Sequence, residues 1–204
     1  MRIQLIIITA TILYSKTRLH FWNSIYDPKS TLSNWENAVP VCNFTGVTCD
    51  NRHHPVSQSD LHRFGLVGKI SPFISNLTGL RVLNLFQNYF FGTIPPQLSS
   101  LRHVRTLILD GNNLTGPVPD SFALLNNLTL FFVQRNYLTL QIPAEIGDCP
   151  NLWSLNLYNN QFTGQLPASL TNTSLYNLDV GYNLLYGELP SDLIAKLLEL
   201  GFLY

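Results

Sequence analysis

Asp60, His62 and Arg63 stand close enough to act together, as a base, its orienting carboxylate and a nearby cation. No candidate nucleophile falls in phase with them, so a solvated polar edge is the plainer reading. Cys42 and Cys49 with His53 and His54 raise a second chemistry, metal binding. A Cys/Cys site needs two further ligands at matching spacing, whereas "HHP" before Val56 reads as an exposed turn. Cys149 stands alone in "CPNL". No GxxxxGK phosphate loop occurs, and paired carboxylates do not recur. The residues therefore point to no enzyme, no cofactor and no metal. With 12 Lys+Arg against 12 Asp+Glu, there is no basic stripe for nucleic acid.

What does recur is "LILDGNNLTGPVP", from Leu107 to Pro119. Copies begin at Leu83 (LNLFQNYFFGTIP), Phe131 (FFVQRNYLTLQIP), Leu155 (LNLYNNQFTGQLP) and Leu178 (LDVGYNLLYGELP). Their shared asparagines, Asn88, Asn112, Asn136, Asn160 and Asn183, are spaced 24, 24, 24 and 23 apart. Counting back places a worn first copy at Phe64 in "DLHRFGLVGKISP", and "LLELGFLY" starts a seventh. A fixed period of this kind is read before any motif, because it decides the fold.

In one copy, Leu107 and Leu109 alternate and face one side of a short strand, while Thr106, Ile108 and Asp110 face the other. Asn112 leaves the strand where the chain must turn. Its amide can bond turn groups that have no sheet partner, so stacked copies make an asparagine ladder. Gly116 permits an unusual turn and Pro119 fixes an extended return. A 24-residue coil cannot bury its apolar face alone, which predicts a solenoid. Cys149 takes the place of Leu77, Leu101 and Leu125 and reads as a buried free thiol.

Arg2 followed by the apolar run Ile3 to Leu13 suits a secretory signal over 1–15; the run is too short to span a membrane. In a secreted chain the close pair Cys42 and Cys49 reads as a disulfide, which stabilises by about 2–3 kcal/mol. Five sequons, at Asn43, Asn76, Asn113, Asn127 and Asn172, fit a glycosylated chain.

The pattern L-x-x-L-x-x-L-x-L-x-x-N-x-L-x-G-x-[IVL]-P resembles the plant-type leucine-rich repeat. Upstream, "DPKSTLSNW" (Asp27 to Trp35) and "VCNFTGVTC" (Val41 to Cys49) resemble the N-terminal cap of plant receptor-like kinases and receptor-like proteins. The resemblance implies an α/β solenoid, a right-handed superhelix with a parallel concave sheet. It divides the chain into a cap over 16–55, six repeats over 56–194 and the start of a seventh over 195–204. It also implies an extracellular ectodomain, at the outer face of the plasma membrane, that binds a peptide, protein or small-molecule ligand and a co-receptor.

Departures from the pattern are Phe44 for tryptophan, Ser59 for leucine, Leu140 for glycine and a residue lost near Asn172. The chain stops within the seventh copy without a transmembrane segment or kinase, which reads as a fragment. Leu193, Ile194, Leu197, Leu198, Leu200, Phe202 and Leu203 are then expected on an uncovered end face.

The outward strand positions include Phe86, Ile108, Leu130, Phe132 and Tyr158, expected to form one continuous apolar band, with Arg135 and Tyr182 beside it. Ser154 and Asp110 are expected outward as well. Large exposed apolar patches mark interaction sites, so this face is the candidate for ligand or partner. The alternatives are a free secreted inhibitor of a pathogen enzyme, similar to polygalacturonase inhibitors, and a fragment without function.

Overall fold

The computed structural model describes residues 25–36, 39–50, 55–200 and 202–203, of which 196–203 are described by backbone alone. The predicted signal segment, His53 and His54, and the side chains of 197–203 lie outside this description.

Each coil begins with a short strand, and in the five strands from Val82 to Asp179 the central leucine or phenylalanine is buried. These strands, Val56–Asp60, Val82–Asn84, Thr106–Ile108, Leu130–Phe132, Ser154–Asn156, Asn177–Asp179 and Phe202–Leu203, pair in chain order in one sheet. All those pairings are parallel and in repeat register: Leu83 opposite Leu107, Leu107 opposite Phe131, Leu155 opposite Leu178. Val47–Cys49 closes the sheet as an antiparallel eighth strand. The architecture is the solenoid expected from the period, and this parallel sheet is the concave wall that the leucine-rich-repeat resemblance implied.

A second sheet has no counterpart in the sequence reading. Val67–Lys69, Tyr89–Gly92, Asn113–Gly116, Tyr137–Gln141, Gln161–Gly164 and Leu184–Leu185 run parallel along the flank, and Ile25–Tyr26 pairs antiparallel with the first of them. The return path of each coil is a 3-10 turn opened by a proline, as at Pro96–Ser100 and Ala144–Asp148. In the last coil this place is taken by an α-helix, Ser191–Leu200.

The core is one column of stacked apolar residues. Leu85, Leu109, Val133 and Leu157 repeat along it, as do Phe90, Leu114, Leu138 and Phe162, all within 1% of complete burial. Cys149 is a free thiol with no exposure, in line with the buried leucines. Burial pushes that thiol up to about 11, which keeps it protonated and inert.

The asparagine amides join the coils edge to edge. Asn136 Oδ1 accepts the Leu114 N–H at 3.0 Å; its Nδ2 donates to Leu109 O at 3.1 Å in the preceding coil and to Val133 O at 3.0 Å in its own. The same set of bonds is made by Asn88, Asn112, Asn160 and Asn183. Each side chain thus satisfies turn groups that a sheet ladder leaves unpaired.

The cap explains its own motif. Asp27 Oδ2 accepts the Leu32 N–H at 2.7 Å, and Asn34 holds Thr45 and Asn43 with three bonds. Trp35 stacks on Phe44 at 5.1 Å and donates Nε1–H to Thr45 O. Phe44 therefore fills the tryptophan's place with little loss of burial, 6% exposed. Cys42 and Cys49 form a disulfide.

One expectation about packing is corrected. Leu193 is not on an uncovered face: it is 1% exposed, because its helix lies over the end of the core and Phe202–Leu203 adds a strand beside Asn177–Asp179. The residue missing near Asn172 is absorbed by Thr173. Its backbone is extended where Leu77, Leu101 and Leu125 turn, and its hydroxyl bonds Leu170 O at 2.7 Å.

Candidate ligand-binding face

Outward positions of the concave sheet form four columns, because parallel strands lie about 4.8 Å apart in register. The first holds Gln58, Val82, Thr106, Leu130, Ser154 and Asn177; the second Asp60, Asn84, Ile108, Phe132, Asn156 and Asp179. A third follows two residues later, with His62, Phe86, Asp110, Gln134, Tyr158 and Gly181.

The fourth, Arg63, Gln87, Gly111, Arg135, Asn159 and Tyr182, has positive φ at every member, between 49° and 65°. Five of those six are not glycine, so each bears the modest strain of the left-handed region. A ladder asparagine follows each of them except Arg63, where Phe64 stands, and bonds the carbonyls of the turn.

The second column carries a local rule. Asn84 Oδ1 accepts the Phe86 N–H at 3.1 Å, Asn156 Oδ1 the Tyr158 N–H at 3.0 Å, and Asp179 Oδ1 the Gly181 N–H at 3.1 Å. Asp60 plays the same part toward His62, and also meets the His62 ring at 2.7 Å. These are Asx turns that end each strand. Ile108 and Phe132 break the rule in the two central coils. Apolar side chains replace a turn-forming amide there, half-exposed, without any gain to the core. Positions where local consistency is given up mark functional sites.

The apolar band is not continuous, as expected from sequence, but bent. Ile108 and Phe132 are in register in the second column. Leu130 lies apart in the first, beside Thr106 and Ser154. Phe86 and Tyr158 sit in the third, separated by Asp110 and Gln134. Two further corrections concern burial: Ser154 and Asp110 stand in the outward columns but are only 1% and 5% exposed, covered rather than open to solvent. Ser154 is covered by Asn177, whose Nδ2 donates to its Oγ at 3.2 Å. Asp110 is roofed by its neighbours and bonded by Gln134 Nε2 at 3.1 Å.

Burial raises the Asp110 carboxyl to about 6, against the lowering effects of its own backbone N–H and of Arg135. Tyr158 and Tyr182 meet edge-on at 5.1 Å. Gly181 makes room for the Tyr158 ring, since a Cβ there would stand 3.3 Å from it. Arg63 lies over the Phe86 ring at 5.2 Å and donates to Gln87. Arg135 and Tyr182 are exposed at the rim. The sheet thus presents an aromatic arc, closed at one edge by cations, around a sunken Asp110–Gln134 pair. Sequence reasoning missed that pair because its column was read as uniformly exposed.

Among the described residues no cluster of histidine, cysteine or carboxylate groups could hold a metal ion. No helix among them is long and apolar enough to cross a membrane. Of the sequon asparagines, Asn43, Asn113, Asn127 and Asn172 are exposed and Asn76 is half-buried, and none stands on the concave columns. A flank groove of about 1290 Å³ opens beside Leu140, Tyr186 and Leu189.

Residues 102–162 and 79–101 match leucine rich repeat families, and residues 19–50 match the leucine rich repeat N-terminal domain. The chain is 45% identical over 62 residues to the LRR receptor-like serine/threonine-protein kinase EFR of Arabidopsis thaliana; the match covers 30% of this chain and 6% of that protein. It spans only 6–10% of the length of the receptor-like kinases it matches first. Among solved structures it is similar to the Arabidopsis receptor kinase HAESA in complex with the peptide hormone IDA and the co-receptor SERK1. That likeness has a TM-score of 0.82 and 33% identity, over 93% of this chain and 32% of HAESA's. The BIR2 ectodomain, also from Arabidopsis thaliana, matches with a TM-score of 0.76 and 27% identity, over 84% of this chain and 93% of that one.

Proposed function

We propose that this chain, which belongs to the plant-type leucine-rich-repeat proteins, is a ligand-binding ectodomain of the receptor-like kinase or receptor-like protein class. It works outside the cell, and its ligand lies on the concave sheet. The observation that carries this reading is the replacement of the strand-ending amides by Ile108 and Phe132. The solenoid gains nothing from them, whereas a ligand gains an apolar floor between Phe86 and Tyr158. Arg135 and Tyr182 supply a polar and an aromatic contact at the rim. The ligand class follows from the neighbours: HAESA is held with a peptide hormone and a co-receptor, and an extended peptide suits a sheet that offers side chains every 4.8 Å or so. The proposed role is recognition, not catalysis. The Asp60–His62 pair is exposed and bonded to itself, with no nucleophile beside it.

The test is a panel of secreted plant peptides titrated calorimetrically against the chain made through a secretory pathway. At least one peptide is expected to bind, and Phe132→Asp and Tyr158→Ala are each expected to weaken it tenfold or more. Thr139→Ala, on the flank sheet, should leave it unchanged. Peptide binding that ignores both concave variants and responds to Leu140→Gly moves the site to the flank groove. A panel without any binding peptide removes the proposal.

A further inference from the structure

Asp110 and Gln134 are adjacent in the third column, and the repeat gives neither a structural task. Gln134 Nε2 donates to Asp110 Oδ2 at 3.1 Å. That bond fixes the amide's orientation, since the reversed amide would set its oxygen against a carboxylate. Gln134 Oε1 is then buried and meets no donor among the described residues. A buried acceptor without a donor is uncommon in a folded chain, and a partner reaches this one when the exposed side chains over it move aside. Asp110, in turn, has no cation within ion-pair distance among the described residues, where the two ion pairs are His62–Asp60 and Arg81–Asp50. Arg135 acts on it only from farther away.

Two acceptors therefore sit side by side at the bottom of the apolar arc. Ile108 and Phe132 border them on the strand side, and Phe86 and Tyr158 flank them along the stack, about 14 Å apart across three strand spacings. An acceptor-only floor with a net negative charge repels carboxylates and phosphates. Aromatic walls around such a floor favour a cation on an apolar stem. A compact ammonium, with three rotatable donors, can reach both acceptors at once; a planar guanidinium is matched to the two oxygens of a single carboxylate.

We infer that the Asp110 carboxylate and Gln134 Oε1 form a recognition point for a primary ammonium on an apolar stem, the end of a lysine side chain in a bound peptide. The inference rests on the concave-face reading and names what that face selects. A residue position of the peptide falls at the third and fourth coils, with its stem on Ile108 and Phe132 and its head between the two acceptors.

The experiment uses the ¹⁵N-labelled chain and three short probes: acetyl-glycyl-lysyl-glycinamide and its norleucyl and glutamyl counterparts. The Gln134 side-chain amide, assigned by its loss in Gln134→Leu, and the Gly111 backbone amide report on the site. The lysyl probe is expected to shift both signals saturably, with the norleucyl and glutamyl probes at least tenfold weaker. Asp110→Asn, isosteric and able to keep a bond to Gln134, should abolish the preference for lysyl over norleucyl at Gly111. Equal response to the lysyl and norleucyl probes, a preference that survives Asp110→Asn, or no response at all would each overturn the assignment. Such a failure is separable from failure of the concave face, which is read independently from the Phe132→Asp and Tyr158→Ala peptide titrations.

Discussion

Asp110 is a carboxylate that the fold holds against its solvation. Its neighbours roof it to 5% exposure, and its carboxyl is raised from 3.8 to about 6. Between those two values the folded chain binds more protons than the unfolded chain, so stability from this group falls as pH rises. The penalty is absent below about pH 4 and fully present above about pH 6. Asp110→Asn is therefore expected to stabilise the chain at pH 7 by on the order of 2 kcal/mol. That gain should shrink to nothing by pH 4. Thermal melts of the two proteins at both pH values check this; a gain independent of pH would mean that the carboxylate is solvated. Such retained cost fits a group kept for binding.

The strand Tyr137–Gln141 carries the clearest conflict between residue and element. Its equivalents in other coils turn at glycines with φ between 76° and 87°, at Gly92, Gly116, Gly164 and Gly187; here Leu140 holds φ 68°. A leucine in that region is strained by roughly 1–2 kcal/mol, and with 59% exposure it recovers little by burial. Leu140→Gly relieves the strain but adds freedom to the unfolded chain, about 0.5–1 kcal/mol in the other direction. The net expectation is a gain of about 0.5–1 kcal/mol, seen as a higher denaturation midpoint with unchanged slope; a loss would show that the Leu140 side chain packs. The turn asparagines give the opposite case. Asn136→Ala removes an acceptor and a donor from three buried backbone groups and should cost roughly 1–3 kcal/mol. Asn113→Ala, one residue after the ladder member Asn112 and exposed, should be nearly neutral in unglycosylated protein. Equal shifts in chemical melts would refute the division of labour between adjacent asparagines.

As a whole molecule the chain is nearly one-dimensional: each coil touches its two neighbours, and stability is a sum of coil and interface contributions. The Leu85, Leu109, Val133 and Leu157 amides each donate to the next coil, to Ile108, Phe132, Asn156 and Asp179 carbonyls at 2.8–3.0 Å. All four lie under the core column and should exchange with deuterium slowest and at similar rates, in one cooperative unit. Ile25 and Tyr26, joined to the flank sheet by a two-residue antiparallel pair, should exchange far faster. Uniform protection from Ile25 onward would mean that cap and repeats open only together.

The period of 24, the inward leucines, the cysteine pair and the place of Cys149 were all legible in the sequence. Each follows from local geometry repeated: a residue type at a fixed phase meets the same neighbour in every coil. The second sheet was not legible. Its strands, such as Tyr89–Gly92 and Asn113–Gly116, are too short to be read from their own alternation and form where the ladder sets adjacent coils at hydrogen-bonding distance. The candidate face was legible as a set of residues but not as a shape. Which of Phe86, Ile108, Leu130, Phe132 and Tyr158 stand together depends on column register between coils. The burial of Asp110 and Ser154 depends on side chains 24 or 23 residues away, Gln134 and Asn177, closing over them. Period alone places a residue on a face; only the packed stack decides how much water reaches it.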